Sequence, residues 1–304
     1  MKFSRKNMLQ TIRDLTIILL ITAGATLAAD FDRDGKADFA VFEPSTTTWL
    51  SDSSKGTSVK WGNTTDILVP ADYDGDGKTD IAVWRPSNGV WYINQSGDGQ
   101  VLVIKWGTVS GDVPVPADYD GDRVADVAIF RPSTGEWMIL GSSVDFNQKK
   151  ASVSTWGKTG DVPVQGDYDG DRKADFGVFR PSENRWLIRE SKSGNTTTKS
   201  LGLAGLDKLV PADYTGDGKI DVAVYRAGVW YVINSETGET EPFHFGFSDD
   251  VPVPADYDGD GSTDFAVYRS GTWFLYESSS PRLRSFKLGE ADDIPVITGV
   301  VRES

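Results

Sequence analysis

DYDGDGKTD at residues 72–80 runs directly into the apolar segment IAVWR at 81–85, and the chain writes this pairing six times. The other copies of the nonapeptide are DFDRDGKAD (30–38), DYDGDRVAD (118–126), DYDGDRKAD (167–175), DYTGDGKID (213–221) and DYDGDGSTD (256–264). From first Asp to first Asp the spacings are 42, 46, 49, 46 and 43 residues. A repeat of that length, built from short extended segments, is the signature of a propeller blade. Inside the nonapeptide the carboxylates stand at positions 1, 3, 5 and 9, where a tight loop can aim them at one hard cation.

Around the third copy the pattern resolves into four strands, A to D. DVPVPAD (112–118) supplies strand A, and the nonapeptide leads to strand B, VAIFR (127–131). EWMIL (136–140) and ASVSTWG (151–157) follow as strands C and D, separated by turn-rich segments. No window after the N-terminal region sustains a 3.6-residue apolar period, so the expected class is all-β. Strands B and C are apolar on both alternating faces and need cover on both, as in radially stacked blades. The second residue of strand B is always small: Ala40, Ala82, Ala128, Gly177, Ala223, Ala266. Strand C always carries a tryptophan: Trp49, Trp91, Trp137, Trp186, Trp230, Trp273. These fit an inter-blade core, with a ligand-stacking platform as the alternative.

Strand A carries prolines two apart, Pro114 and Pro116, and again Pro252 and Pro254. Without N–H donors along one edge it tolerates no neighbour there, which places it innermost, against the central channel. Strands B to D occur six times, but no strand A precedes Asp30. DDIPVITG (292–299) matches DDVPVPAD (249–256) with no nonapeptide after it, so residues 294–299 are expected to complete the first blade. The expectation is a six-bladed β-propeller of four-stranded antiparallel blades spanning 30–304. Its repeats run over 30–66, 67–111, 112–160, 161–207, 208–249 and 250–293.

The candidate metal ligands follow loop by loop, with the carbonyl at position 7 added to the carboxylates. They are Asp30, Asp32, Asp34, Lys36 and Asp38; Asp72, Asp74, Asp76, Lys78 and Asp80; and Asp118, Asp120, Asp122, Val124 and Asp126. The later loops offer Asp167, Asp169, Asp171, Lys173 and Asp175; Asp213, Asp217, Lys219 and Asp221; and Asp256, Asp258, Asp260, Ser262 and Asp264. Oxygen-only ligation suits Ca²⁺, and the lack of nearby His or Cys argues against zinc or copper. An EF-hand would carry a bidentate Glu at position 12, where this chain has Val83. The bland alternative is an Asp-Gly turn with no ion, which leaves 23 Asp crowded into six loops. Several and up to six Ca²⁺ are expected. Thr215 at position 3 makes the 213–221 loop the weakest site; Arg123 and Arg172 stand where other loops have Gly; Asp30 lies at the expected mature terminus.

The chain opens with MKFSRKNMLQTIRD and an apolar run that reaches Ala29, the pattern of a secretory signal over 1–29 or, alternatively, a retained anchor. The formal charge is −14, and removal of the +3 on residues 1–29 would leave −17. So acidic a chain is a poor partner for nucleic acid. There is no cysteine, hence no disulfide to hold the loops. A monomer is expected, exported to the extracellular space, the cell surface or the periplasm, with no membrane insertion after cleavage.

The aspartate motif resembles the FG-GAP/VCBS repeats of bacterial secreted proteins, which are related in architecture to the calcium-binding propeller of integrin α chains. The resemblance covers essentially all of the chain after residue 29. The FG…GAP sequence itself is absent. Trp61-Gly62, Trp106-Gly107, Trp156-Gly157, Leu201-Gly202, Phe245-Gly246 and Leu288-Gly289 stand in its place. The resemblance implies calcium in the A–B loops and a role in adhesion or ligand binding.

Arg85, Arg131, Arg180, Arg226 and Arg269 end strand B, opposite acids such as Asp66, Asp112, Asp161 and Asp250. Cross-strand ion pairs are one reading and a ring of cations for an acidic ligand the other, with Glu43 and Lys208 interrupting the ring. Catalytic equipment is scant. His244 is the only histidine, expected to face solvent on an outermost strand, and thiol catalysis has no residue. The expected function is an extracellular binding or adhesion module for a glycan or protein ligand. A polysaccharide lyase or glycosidase and a structural spacer are the alternatives.

Overall fold

The computed structural model describes residues 29–107 and 111–296. The expected signal segment up to residue 28, and residues 297–299 of the closing strand, lie outside these. The described residues form six four-stranded antiparallel sheets and two 3-10 turns. Blade 2 shows the plan: Ile67–Leu68, Ile81–Arg85, Val90–Asn94 and Val101–Lys105, hydrogen-bonded in chain order. Blade 1 has Ala40–Glu43, Thr48–Ser51 and Thr57–Lys60, and Ile294–Pro295 from the far end of the chain supplies its strand A. The ring therefore closes as the repeat count requires. No described helix is long and apolar enough to cross a membrane.

Strand A is shorter than its apolar pattern suggests. In blade 3 only Val113–Pro114 forms a ladder with Val127–Arg131, followed by an isolated bridge between Ala117 and Asp126. Pro116, like Pro70, Pro211 and Pro254 at the same position, has no N–H to extend the pairing; blade 4 has Gln165 there. The prolines leave strand A at the sheet edge, paired on one side only.

All six strand-C tryptophans are 0–1 % exposed, and so are the strand-B residues Ala40, Ala82, Ala128, Ala223 and Ala266. Burying each indole is worth about 4–6 kcal/mol of apolar transfer before entropy, so these rings dominate the contact between blades. Trp137 meets Phe176 of the next blade at 5.2 Å, and Trp273 meets Phe39 across the ring closure at 5.4 Å. A buried indole N–H needs an acceptor. Trp91 Nε1 donates to the Trp106 carbonyl at 3.1 Å, Trp137 Nε1 to Trp156 at 2.9 Å and Trp186 Nε1 to Leu201 at 3.0 Å. The residue before each recurring glycine of the repeat thus satisfies its own blade's tryptophan. Gly107 follows with φ +82°, and a Cβ there would lie 2.8 Å from Ile129 of the next blade.

Five strand-B arginines are fastened to acids at the start of strand A. Arg85–Asp66, Arg131–Asp112 and Arg180–Asp161 close at 2.8 Å, and Arg269–Asp250 at 2.5 Å. Arg226 pairs with Asp207. The expected interruption at Lys208 is therefore corrected: the acid sits one residue earlier, and Lys208 Nζ donates to the Asp250 carbonyl at 2.5 Å. Only blade 1 departs, where Glu43 stands near Asp293. The arginines are structural partners of buried carboxylates rather than a ring of free cations.

Candidate metal centres

Each nonapeptide wraps its backbone around its own carboxylates. Position 1 accepts from the N–H groups of positions 4 and 6: Asp72 Oδ1 from Gly75 at 2.6 Å and Oδ2 from Gly77 at 2.8 Å. Position 5 accepts from position 7, as Asp76 does from Lys78 N at 2.8 Å. Position 9 reaches back to position 2, Asp80 Oδ2 accepting from Tyr73 N at 2.9 Å. The Tyr73 hydroxyl then donates to the Val69 carbonyl at 2.7 Å, tying the loop to strand A. These short-range side-chain-to-backbone bonds are why Asp, and not Glu, recurs in the motif.

In four loops, three carboxylate oxygens gather within 4.8 Å of one another from positions 1, 3 and 9: Asp30, Asp32 and Asp38; Asp72, Asp74 and Asp80; Asp167, Asp169 and Asp175; Asp256, Asp258 and Asp264. In the third loop Asp118, Asp120 and Asp122 gather instead. The fifth loop brings no such triplet together among the described residues; Thr215 stands where the second carboxylate would be. Asp34, Asp76, Asp171 and Asp260 lie outside the triplets and bond the N–H of Lys36, Lys78, Lys173 and Ser262. Asp217 does the same with Lys219, and Asp122 with Val124. Arg123 and Arg172 adopt φ of 71° and 69°, so they keep the glycine conformation at that position.

Burial and mutual repulsion both press on these groups. Asp80, Asp126 and Asp175 are fully buried, and desolvation followed by neighbouring carboxylates pushes each up to about 7. Asp38 is likewise raised to about 7 and Asp264 to about 6. Asp72, Asp118, Asp167 and Asp256 are raised for the same first cause, burial. Backbone N–H bonds favour the charged form of these groups in part, and a cation would compensate the remaining charge. Asp120 Oδ1 is buried and accepts no hydrogen bond, an orphan that a cation would satisfy. The all-oxygen donor set fits a hard divalent ion.

Two features of the centres were not legible in the motif. The first is a serine at the start of the C–D turn in blades 2 to 6, folded down over the loop. Ser96 N donates to Asp80 Oδ1 at 2.6 Å and Ser96 Oγ to Asp76 at 3.0 Å. Ser142, Ser191, Ser235 and Ser278 repeat the backbone bond to Asp126, Asp175, Asp221 and Asp264. A recurrent Ser sixteen or so residues after position 9 was the available signal.

The second feature joins the loops to one another. The position-8 N–H of each loop donates to the position-1 carbonyl of the preceding one: Thr79 to Asp30, Ala125 to Asp72, Ala174 to Asp118, Ile220 to Asp167, Thr263 to Asp213 and Ala37 to Asp256, all at 2.7–2.8 Å. The belt closes on itself. Beside it, the position-7 side chain lies over the position-4 glycine of its neighbour. Gly121 has φ +88°, and a Cβ there would stand 2.6 Å from Lys173. His244 is exposed on the outermost strand Thr240–His244, away from every acidic loop.

Residues 72–129 match the family model of the FG-GAP-like repeat. No curated protein matches the chain. Among solved structures, a streptogramin B lyase superposes with a TM-score of 0.55 at 10 % identity, over 93 % of this chain and 94 % of that one. A lectin of Agrocybe aegerita specific for non-reducing terminal N-acetylglucosamine gives 0.57 at 16 % identity, over 92 % and 81 %. BBS1N, solved in complex with ARL6DN, gives 0.52 at 12 % identity, over 95 % and 93 %. At these identities the likeness is one of fold.

Proposed function

We propose that this protein is an exported, calcium-clamped β-propeller that presents its rigid ring as a binding or adhesion module for an extracellular glycan or protein. The observation that carries the reading is the set of five carboxylate triplets, stitched into one belt by six inter-blade hydrogen bonds. Residues at positions 1, 3 and 9, with 1, 3 and 5 in the third loop, would hold the ions. A bound ion supplies charge compensation and loop order, not a reaction step. In a chain without disulfides, such ions would rigidify the inner hairpins and the C–D turns above them.

Support for binding over catalysis comes from the side chains. The lone histidine lies exposed on an outer strand, and the acids that could act in pairs are engaged by the loop backbone. Solved propellers of this shape include a glycan-recognising lectin and a protein-bound BBS1N, as well as a lyase. The test is a screen of the purified protein against glycan arrays and surface extracts, in millimolar Ca²⁺ and in chelator. Retention of a ligand in calcium and its release in chelator are expected. An empty screen in both conditions leaves a spacer, and a turnover product restores the enzyme.

A further inference from the structure

The C–D connections depart from a common length most in blade 3. Between strands C and D, blades 2, 4, 5 and 6 use six residues, and blade 1 five; blade 3 uses eleven, residues 141–151. The longer connection folds into two 3-10 turns, Ser142–Val144 and Gln148–Lys150, and stands as a wall beside blade 4. Between the wall and blade 4 lies a cleft of about 430 Å³, within the size range of small-ligand sites. Tyr119 and Phe176, stacked at 5.8 Å, supply apolar surface, while Ser143, Glu190, Lys150 and Arg189 supply polar groups.

The charges in this cleft are unequally satisfied. Glu190 accepts from Ser193 at 2.6 Å and from Thr197 at 2.9 Å, one hydroxyl on each oxygen. Asp126 accepts from Tyr119 N and Ser142 N, and Asp120 from Ser143 Oγ, which draws both acids into the metal loop at the cleft's edge. Neither Lys150 nor Arg189 makes an ion pair among the described residues. Arg189 is instead held in place over the rings of Phe176 and Trp156, at 5.1 and 5.9 Å. Its position at the end of strand C is occupied by Asp52, Asn94, Leu140, Ile233 and Tyr276 in the other blades, so no other blade has the cation.

We propose that the cleft between blades 3 and 4 binds a carboxylate-bearing saccharide of one or two residues, with Lys150 and Arg189 holding the carboxylate. A preorganised guanidinium and an ammonium without acidic partners fit a planar anion. Serine hydroxyls and a carboxylate beside an apolar floor fit a ring with a hydroxyl edge and a C–H face. This assignment rests on the binding-module reading and names its ligand class.

The test measures, by calorimetry or saturation-transfer NMR in excess calcium, the methyl glycosides of galacturonate, glucuronate and mannuronate. Their methyl esters, the matching neutral hexosides and glutarate serve as comparisons. At least one uronide should bind, with its ester about tenfold weaker or worse, and glutarate weaker still. Lys150→Gln and Arg189→Gln should each weaken the uronide about tenfold with an unchanged melting curve, and Arg189→Lys should recover part of the loss. Equal binding of ester or glutarate, variants that bind like the parent, or no uronide binding would each overturn the proposal. A neutral glycan retained by the array in the last case would leave the module reading standing; an empty array would remove both.

Discussion

Removing calcium should lower the melting temperature by an amount the five triplets set. Extracellular calcium sites have Kd values of about 10⁻⁴–10⁻³ M, so at 1 mM ion the tighter end gives about 1.4 kcal/mol of native-state stabilisation per site. Five sites bring this to about 7 kcal/mol, on the order of 15 °C for a chain of this size. The assay is differential scanning calorimetry in 1 mM Ca²⁺ against excess chelator, with isothermal titration to count sites. Asp80→Asn gives the internal check. The amide oxygen can still accept from Tyr73 N or Ser96 N, so the loop keeps a bond, but one triplet loses its buried charge. That variant should forfeit about a fifth of the calcium-dependent shift, roughly 3 °C. Thr215→Asp should add a comparable increment by completing the fifth loop. Superimposed melting curves with and without ion, or a full shift in Asp80→Asn, would refute the reasoning.

The pH profile should change sign with the ion. Asp38, Asp80, Asp126 and Asp175 are raised to about 7 by burial, above the unfolded value near 3.8, so without ion the native state holds extra protons between those limits. Stability in chelator should therefore be greatest near pH 4 and fall through pH 7, whereas in calcium acid should destabilise by protonating the ligands; melting curves from pH 4 to 8 decide. Arg180→Met should cost about 3–5 kcal/mol in urea denaturation, because it strands Asp161, whose side chain is 1 % exposed. Adding Asp161→Asn should recover much of that loss. In blade 1, burial first and the Glu43 charge next raise Asp293, where the other blades offer an arginine. Glu43→Arg should restore the missing pair across the ring closure and stabilise by about 1–2 kcal/mol at pH 7, read as a higher melting temperature.

Much of the architecture was legible because it is local. Four strands per unit, small residues in strand B, tryptophans in strand C and prolines on the inner edge each follow from a few adjacent side chains. Ring closure by Ile294–Pro295 was legible as well, since a lone strand A at one end matches a missing one at the other. Asp207 was legible as the partner of Arg226, since it stands nineteen residues before its arginine as Asp66, Asp112, Asp161 and Asp250 do before theirs, but the basic Lys208 beside it obscured the match. Ser96 and its counterparts escaped notice since their role exists only once strands B and C bring residues sixteen apart into contact.

From its residues alone, the chain settles the repeat, the all-β class, the number of blades and which carboxylates are candidates, because each is a matter of spacing along the backbone. Only the folded ring decides which three oxygens meet in five of the loops, that the loops are hydrogen-bonded head to tail, and that blade 3 walls off a cleft holding two unmatched cations. Those facts depend on distances between neighbouring blades, set by the packing of buried tryptophans against the next sheet, and no single repeat contains that information.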